Sequence, residues 1–314
     1  MEKGEGATPN EEKRYIVETK QGIIDQDQVN KYRQAHLEAL MEQNQNMGKG
    51  TEWFDNQPTV NCVSSNQTQE YFAIATENGF EILQNDSGST RLKKKVQDLG
   101  KNIALVEMMY KTNVIVLVHE HQRNKVVIWD DHEKKNRTEI TFNANQHIMN
   151  VKLRKDMMVV VLTEKTFIFN FVTLKLIEQV DTYPNPLGLV ALSQAEKPIS
   201  KIICLPAQEK GSLKVLNYVV DKSIDLVIPA HDTEIGAIAV NPDGTLIASA
   251  SQRGHIIKIY STDGGEVVQE LKRGNSKAEI TGIVFHPSQY ILACTSSKAS
   301  IHLFEIRKAV EKCI

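Results

Sequence analysis

From Pro58 onward the chain reads as short apolar or alternating runs separated by turns. Val60–Ser64, Tyr71–Thr76, Phe80–Leu83 and Arg91–Val96 form a first group of four. Ile103–Met108, Val114–Val118, Lys125–Trp129 and Thr138–Phe142 form a second, and Ile148–Leu153, Met157–Leu162, Thr166–Asn170 and Lys175–Val180 a third. A fourth group runs from Gly188 to Ile228 and a fifth from Ile235 to Leu271. The sixth has Ile280–Phe285, Tyr290–Thr295 and Ser300–Phe304, after which the chain ends. Runs this short, with period-two alternation and no long helical period, predict strands. Turn signals fall where hairpins need them, at Glu77-Asn78-Gly79, Pro242-Asp243-Gly244 and Asp263-Gly264-Gly265. The groups recur about every forty residues, the period of four-stranded propeller blades.

A four-stranded sheet cannot cover both of its own faces, so each unit must stack on its neighbours, and a ring protects most edges. In unit five, TLIASASQRGHIIKIYSTDGGEVVQEL has the order of a WD40-like blade, with Ala248 and Ala250 small enough for a crowded strand where blades converge. The expected class is all-β: a WD40-like propeller with about six blades visible, spanning residues 57–314. Residues 1–56 differ, being rich in Glu, Gln, Asn and Lys. They read as a polar extension, mostly disordered, with one short amphipathic helix around Gln26–Gln43 that gathers Val29, Tyr32, Leu37, Leu40 and Met41 on one side.

Composition narrows the function. With 37 basic and 39 acidic residues the net charge is −2, so attraction to a polyanion must come from a local patch, and nucleic-acid binding is not expected. Cys62, Cys204, Cys294 and Cys313 lie far apart with no CxxC pair, which suits reduced thiols in the cytosol. The polar start MEKGEGATPNEEKR has no apolar signal core, and the longest apolar runs, such as Met157–Leu162, are too short to span a bilayer. His119-Glu120-His121, read as a strand, puts two histidines on one face, but no third ligand is near and no metal is expected. GKGT at 48–51 lacks the spacing of a phosphate-binding loop, and Lys93–Lys95 and Lys134–Lys135 read as solvated turns. No nucleophile–base set is legible, and the chain is not expected to be an enzyme or to carry a cofactor.

The informative stretch is LKRGNSKAEITGIVFHPSQYILACTSSKASIHLFEI, residues 271–306. Lys272 and Arg273 are adjacent cations in an extended segment between units five and six. Successive side chains of such a segment point opposite ways, so one cation can face blade five and the other blade six. An isolated Lys-Arg pair would equally suit a solvated connector. The surrounding sequence, however, resembles the PROPPIN family of autophagy propellers, whose hallmark here is Phe/Leu-Arg-Arg-Gly; this chain has Leu271-Lys272-Arg273-Gly274. The resemblance covers about residues 60–306 and includes NKVVIWDD (124–131), VKLRKDMMVVVL (151–162), NPLGLVALS (185–193), IPAHDTEIGAIAVNPDGTLIASAS (228–251) and ACTSSKASIHLFEI (293–306).

The resemblance implies a peripheral membrane effector that binds phosphatidylinositol 3-phosphate and phosphatidylinositol 3,5-bisphosphate and recruits autophagy proteins, a lipid-transfer partner among them. It implies a cytoplasmic protein working at phagophore, endosomal or vacuolar membranes. Carried over by position, the blade-five site offers His231, Ser249, Ser251, His255, Lys258 and Lys272, and the blade-six site Arg273, Ser296, Lys298, Ser300 and His302. Phosphates need cations for charge and hydroxyls or imidazoles for directed hydrogen bonds, so these residue types suit the ligand. The partner would bind loops of early blades, with Asp131–Arg137 the candidate. Departures fall on the blade-five site: Lys272 and Lys258 stand for family arginines and His255 for a threonine. Lysine keeps charge but loses the bidentate fork, so a weaker blade-five site is expected. Family members also continue into a long blade-six loop and a seventh blade, whereas this sequence stops at Ile314. The alternative function is a protein-interaction scaffold whose lipid sites have weakened.

Overall fold

Why Met157–Leu162 is apolar at every position, rather than alternating, becomes clear from what lies on either side of it. Met158, Val160 and Leu162 pack with Val116, Val118 and Ile128 of the preceding sheet. Met157, Val159 and Val161 pack with Ile203, Leu205 and Leu216 of the next. A strand buried on both faces loses the polar half of its alternation. The computed structural model describes residues 58–86, 89–97, 102–194, 201–219 and 222–306, all within the unit Pro58–Ile314. The segment 26–43, read as a helix, the GKGT stretch and Cys313 lie outside the described residues.

Six antiparallel sheets follow one another, each with its strands in chain order. Blade one is β1 (Val60–Ser65), β2 (Tyr71–Thr76), β3 (Gly79–Asp86) and β4 (Ser89–Gln97). Blade two is β5 (Ile103–Met108), β6 (Val114–His119), β7 (Lys125–Asp130) and β8 (Lys135–Thr141). Blade three is β9 (Ile148–Leu153), β10 (Met157–Leu162), β11 (Lys165–Asn170) and β12 (Leu176–Asp181). Blade four is β13 (Ala191–Leu192), β14 (Ile202–Pro206), β15 (Ser212–Val219) and β16 (Lys222–Pro229). Blade five is β17 (Ile235–Val240), β18 (Leu246–Ser251), β19 (Ile256–Ser261) and β20 (Val267–Lys272). Among the described residues blade six has three strands, β21 (Ile280–Phe285), β22 (Ile291–Ser296) and β23 (Ser300–Glu305). The chain is an all-β propeller with six blades described.

The repeat is more regular in backbone than in sequence. In five blades the second residue of the innermost strand is skipped in the pairing: Asn61, Ala104, Met149, Gly236 and Thr281. In four blades the outermost strand carries a second irregularity, at Lys93, Arg137, Ile177 and Val268. Such bulges raise local twist, which each sheet needs to turn its strands from the axis to the rim. Five apolar clusters fill the successive interfaces from blades one and two to blades five and six. Inner strands of all six blades line a central cavity of about 440 Å³, to which they contribute Ser65, Glu107, Lys152, Leu192, Val240 and Phe285. There the buried Glu107 carboxylate meets Lys152 at 3.0 Å. Burial raises its pKa, and the lysine opposes the rise.

Two expectations change. His119-Glu120-His121 is not continuous strand: β6 ends at His119, and Glu120–Gln122 form a 3₁₀ turn. The ring centroids still lie 5.3 Å apart. Among the described residues no group of three or more His, Cys, Asp or Glu is placed to hold a metal. Nor is Asp131–Arg137 a free loop, because pairing resumes at Asp130↔Lys135 and places Lys135–Arg137 in β8. Buried Asp130 causes this by accepting from the His132 and Glu133 N–H groups, Asn113 and Arg137. Burial works to raise its pKa, but these donors prevail and hold the carboxyl far below the usual range.

The outer face of blade six is open, with Ile301 73% and Leu303 70% exposed. Met158→Ala, in the sealed interface, should therefore cost about 2–5 kcal/mol. Ile301→Ala should stay within about 0.5 kcal/mol. Urea unfolding at constant slope measures both, and equal losses would mean the blade-six face is packed in solution.

Candidate anion-binding rim of blades five and six

Blade five presents two polar rows toward blade four. Register places Ser249 opposite Lys258 and Lys258 opposite Glu270; the adjacent row pairs Ile256 with Lys272, with Ser251 at the end of β18 beside it. The same face carries Ile247 and Tyr260, which pack into the cluster shared with blade four. His231 arrives from the β16–β17 connector and its Nε2 lies 2.9 Å from Ser249 Oγ. That seat depends on Gly211. The His231 N–H donates to the Gly211 carbonyl at 2.9 Å. Gly211 has φ +77°, and a Cβ there would meet the His231 oxygen at 1.9 Å. Burial, then the nearby Lys258 charge, pull the His231 pKa down to about 4, so the imidazole is neutral at pH 7. Lys258 donates to the Ala230 carbonyl at 3.1 Å and lies 3.8 Å from Glu270.

The β20 backbone separates the two cations of the motif. Leu271 packs inward with the blade-five and blade-six cluster. Lys272 points the other way and is exposed, while Arg273 returns to the side of Leu271 and is buried. Arg273 Nε donates to the Gly254 carbonyl at 2.5 Å, and Nη2 donates to the Ser276 carbonyl. Its own N–H donates to the His255 carbonyl at 2.9 Å, which is where His255 enters the arrangement. Gly254, in the β18–β19 turn, lets the connector pass this close: its φ is +62°, and a Cβ would strike the Ala278 oxygen at 1.9 Å.

Facing Arg273 on blade six runs a chain of hydroxyls. Ser296 Oγ lies 3.0 Å from Ser300 Oγ, which lies 3.1 Å from His302 Nε2. All three share the face of β22 and β23 that carries Leu292 and Cys294 toward blade five. Burial raises the Cys294 thiol pKa, and the neighbouring Arg273 charge opposes it. Lys298, exposed in the β22–β23 turn, donates to Ser276 Oγ at 2.5 Å.

Thus Ser249, Ser251, Lys258 and Lys272 share one face with His231 against it, and Arg273, Ser296, Lys298, Ser300 and His302 gather across the next interface. His255 contributes its carbonyl. Sequence reasoning missed Glu270, which partly neutralises Lys258, although strand register could have found it. It also missed Ser276, which meets both blade-six cations; no motif marks it, because the connector's bend brings it there.

This rim stands on a chain whose residues 59–313 match the model of the family described as PROPPIN. The chain belongs to the PROPPIN family. SVP1-like protein 2 of Pichia angusta is 33% identical over 262 residues, covering 81% of this chain and 71% of that one. Autophagy-related protein 18 of Emericella nidulans is 29% identical over 271 residues, covering 79% of this chain and 61% of that one. Among solved structures, KlAtg21 in complex with the coiled coil of AgAtg16 superposes with a TM-score of 0.65 at 26% identity, covering 79% of this chain and 81% of that one. The chain therefore spans about two thirds of the length of these two curated relatives. PROPPIN propellers are an autophagy family, and among the described residues no helix is long and apolar enough to cross a membrane.

Because the folded His231 titrates near pH 4 rather than about 6.5, its contribution to stability is complete above pH 6.5 and is lost as pH falls toward 4. Urea unfolding at pH 7.5 and pH 4.5 should show a larger loss for wild type than for His231→Gln. Identical losses would show that this imidazole is not held neutral against Ser249.

Proposed function

We propose that this PROPPIN binds 3-phosphorylated phosphoinositide headgroups, phosphatidylinositol 3-phosphate and the 3,5-bisphosphate, through two rim sites on opposite sides of β20. The observation that carries this reading is the divergence of Lys272 and Arg273. Each cation stands beside hydroxyl and imidazole groups of a different interface, His231, Ser249 and Ser251 for one and Ser296, Ser300 and His302 for the other. Each site joins charge with directed donors, as a phosphate monoester requires. Two sites on one rigid body act together through effective concentration, so modest sites suffice for membrane attachment. Bound this way, the propeller would serve as a peripheral effector on phagophore, endosomal or vacuolar membranes and recruit autophagy proteins, a lipid-transfer partner among them. The coiled coil seen on KlAtg21 supports protein partners of this kind.

The second reading, a scaffold with weakened lipid binding, is favoured by the internal partners already on the cations. Glu270 stands near Lys258, and backbone carbonyls occupy the Arg273 guanidinium. Vesicle flotation separates the two. With phosphatidylinositol 3-phosphate in the vesicles the wild type should float, and with phosphatidylinositol alone it should not. Lys272→Ala and Lys298→Ala should each weaken binding about five-fold, the effect of roughly 1 kcal/mol per surface cation. Arg273→Ala should lose more, with thermal melts run alongside because the side chain is buried. A folded wild type that ignores the phosphorylated lipid would leave the scaffold.

A further inference from the structure

The ion pair between Glu107 and Lys152 borders open space rather than a packed core. Both residues line the central cavity of about 440 Å³, and both also line a second cavity of about 240 Å³. Most polar groups around them are already used. Ser64 Oγ donates to the Val106 carbonyl at 2.6 Å, and Asn150 Nδ2 to the Gly188 carbonyl at 2.8 Å. Gln67 donates to the Met108 and Leu153 carbonyls and accepts from the Tyr110 N–H. Two groups are left over. An ammonium has three N–H donors, and among the described residues Lys152 Nζ donates to Glu107 alone, at 3.0 Å. Gln194, two residues beyond β13, also lines the larger cavity, its N–H tied to the Pro242 carbonyl at 3.0 Å. Among the described residues its buried Oε1 has no hydrogen-bond partner. A buried ion pair stabilises a fold only when the remaining donors and acceptors around it are satisfied, and this one lacks partners on the cavity side.

We propose that the central cavity binds a free α-amino acid with an apolar side chain, held by Lys152, Glu107 and Gln194. The ligand carboxylate accepts from the unused Lys152 N–H groups, and its ammonium donates to Glu107 and to Gln194 Oε1. Charges of both signs, a few atoms apart, distinguish an amino acid from a fatty acid, an amine or either end of a peptide. An anion alone would be repelled by Glu107, and a cation alone by Lys152. The rest of the wall suits the side chain: Leu192, Val240, Ile283 and Phe285 lie along it. Glu107 and Lys152 are the only charged residues among the described ones that line this cavity, so a charged side chain would find no counter-charge. An apolar lining with a few placed polar groups, in a volume of this order, is the usual make-up of a small-molecule site. The ligand would touch inner strands from several blades at once, so the occupied ring is the more stable one. None of the rim residues of blades five and six takes part, and the proposal does not depend on the lipid reading.

The test is isothermal titration of the full chain, without lipid, against L-valine, L-leucine and L-phenylalanine in turn. Saturable binding at one site per chain is expected for at least one of them, with a raised melting temperature at saturation. For leucine as the ligand, 4-methylpentanoate lacks the ammonium and isoamylamine lacks the carboxylate. Each should bind at least about ten-fold more weakly than the amino acid, and the matching analogues serve for valine or phenylalanine. L-Aspartate and L-lysine should be rejected as well. Gln194→Leu, at a half-buried position, should melt like the wild type and weaken binding about ten-fold. Glu107→Gln combined with Lys152→Gln removes both charges without leaving either one alone, and should abolish saturable binding. No saturable binding of any of the three amino acids to the folded chain overturns the proposal and leaves the ion pair a structural contact. Equal binding of the analogues overturns it too, since the cavity would then be merely apolar. So does undiminished binding by the folded double variant; if that variant does not fold, undiminished binding by Gln194→Leu overturns it instead.

Discussion

Every blade of this propeller is a sheet with two faces to bury, and the structure rests on neighbours burying them for one another. Met157–Leu162 shows the constraint most fully: alternate residues of one six-residue strand belong to two different cores, one with blade two and one with blade four. No blade has a core of its own, so stability resides in the interfaces, as in other stacked-repeat proteins. The repeated bulges serve the same end. By twisting most of the sheets at the inner strand, and four of them at the outer strand as well, they let apolar faces meet while radiating from a common axis.

That constraint decides where polar chemistry can sit. Within the interfaces, polar side chains must be paired; at the strand ends on the rim, they can meet both solvent and the neighbouring blade. Just inside that rim the buried Ser249 pairs with His231, and the buried Ser296 with Ser300, which in turn meets His302. The connector leaving β20 passes between two interfaces, and its alternation delivers Lys272 to one and Arg273 to the other. A cation as buried as Arg273 needs acceptors when no ligand is present, and the Gly254 and Ser276 carbonyls supply them. The site's charges are thus held in place by internal partners that any incoming anion must supplement or displace.

Blade two shows the same economy in the turn that the family resemblance marks as the candidate partner-binding segment. Asp130 gathers the backbone of the following turn and the Arg137 side chain, which sits at the bulged position of β8. A buried carboxylate with this many donors is stabilised as the anion and makes the turn rigid. A segment that looks loop-like by composition, Asp131–Arg137, is therefore mostly a tight turn and the start of a strand.

The all-β class, the forty-residue period and most strand positions were legible in the sequence. Alternation and turn residues are local properties, and runs such as Tyr71–Thr76 and Ile280–Phe285 leave little choice. Opposite facing of Lys272 and Arg273 was legible for the same reason, since it follows from extended backbone. Strand ends were less so: β8 begins at Lys135 because of hydrogen bonds to Asp130, and the His119–His121 segment turns where alternation suggested strand. The sequence alone also determined family membership, through many matched segments in order. Only the tertiary structure decided which groups satisfy the cations, because Glu270 meets Lys258 through register and Ser276 meets Arg273 and Lys298 through a bend in the connector. Those contacts join residues from different strands and blades, and no local pattern in a chain specifies the distance between side chains that only packing brings together.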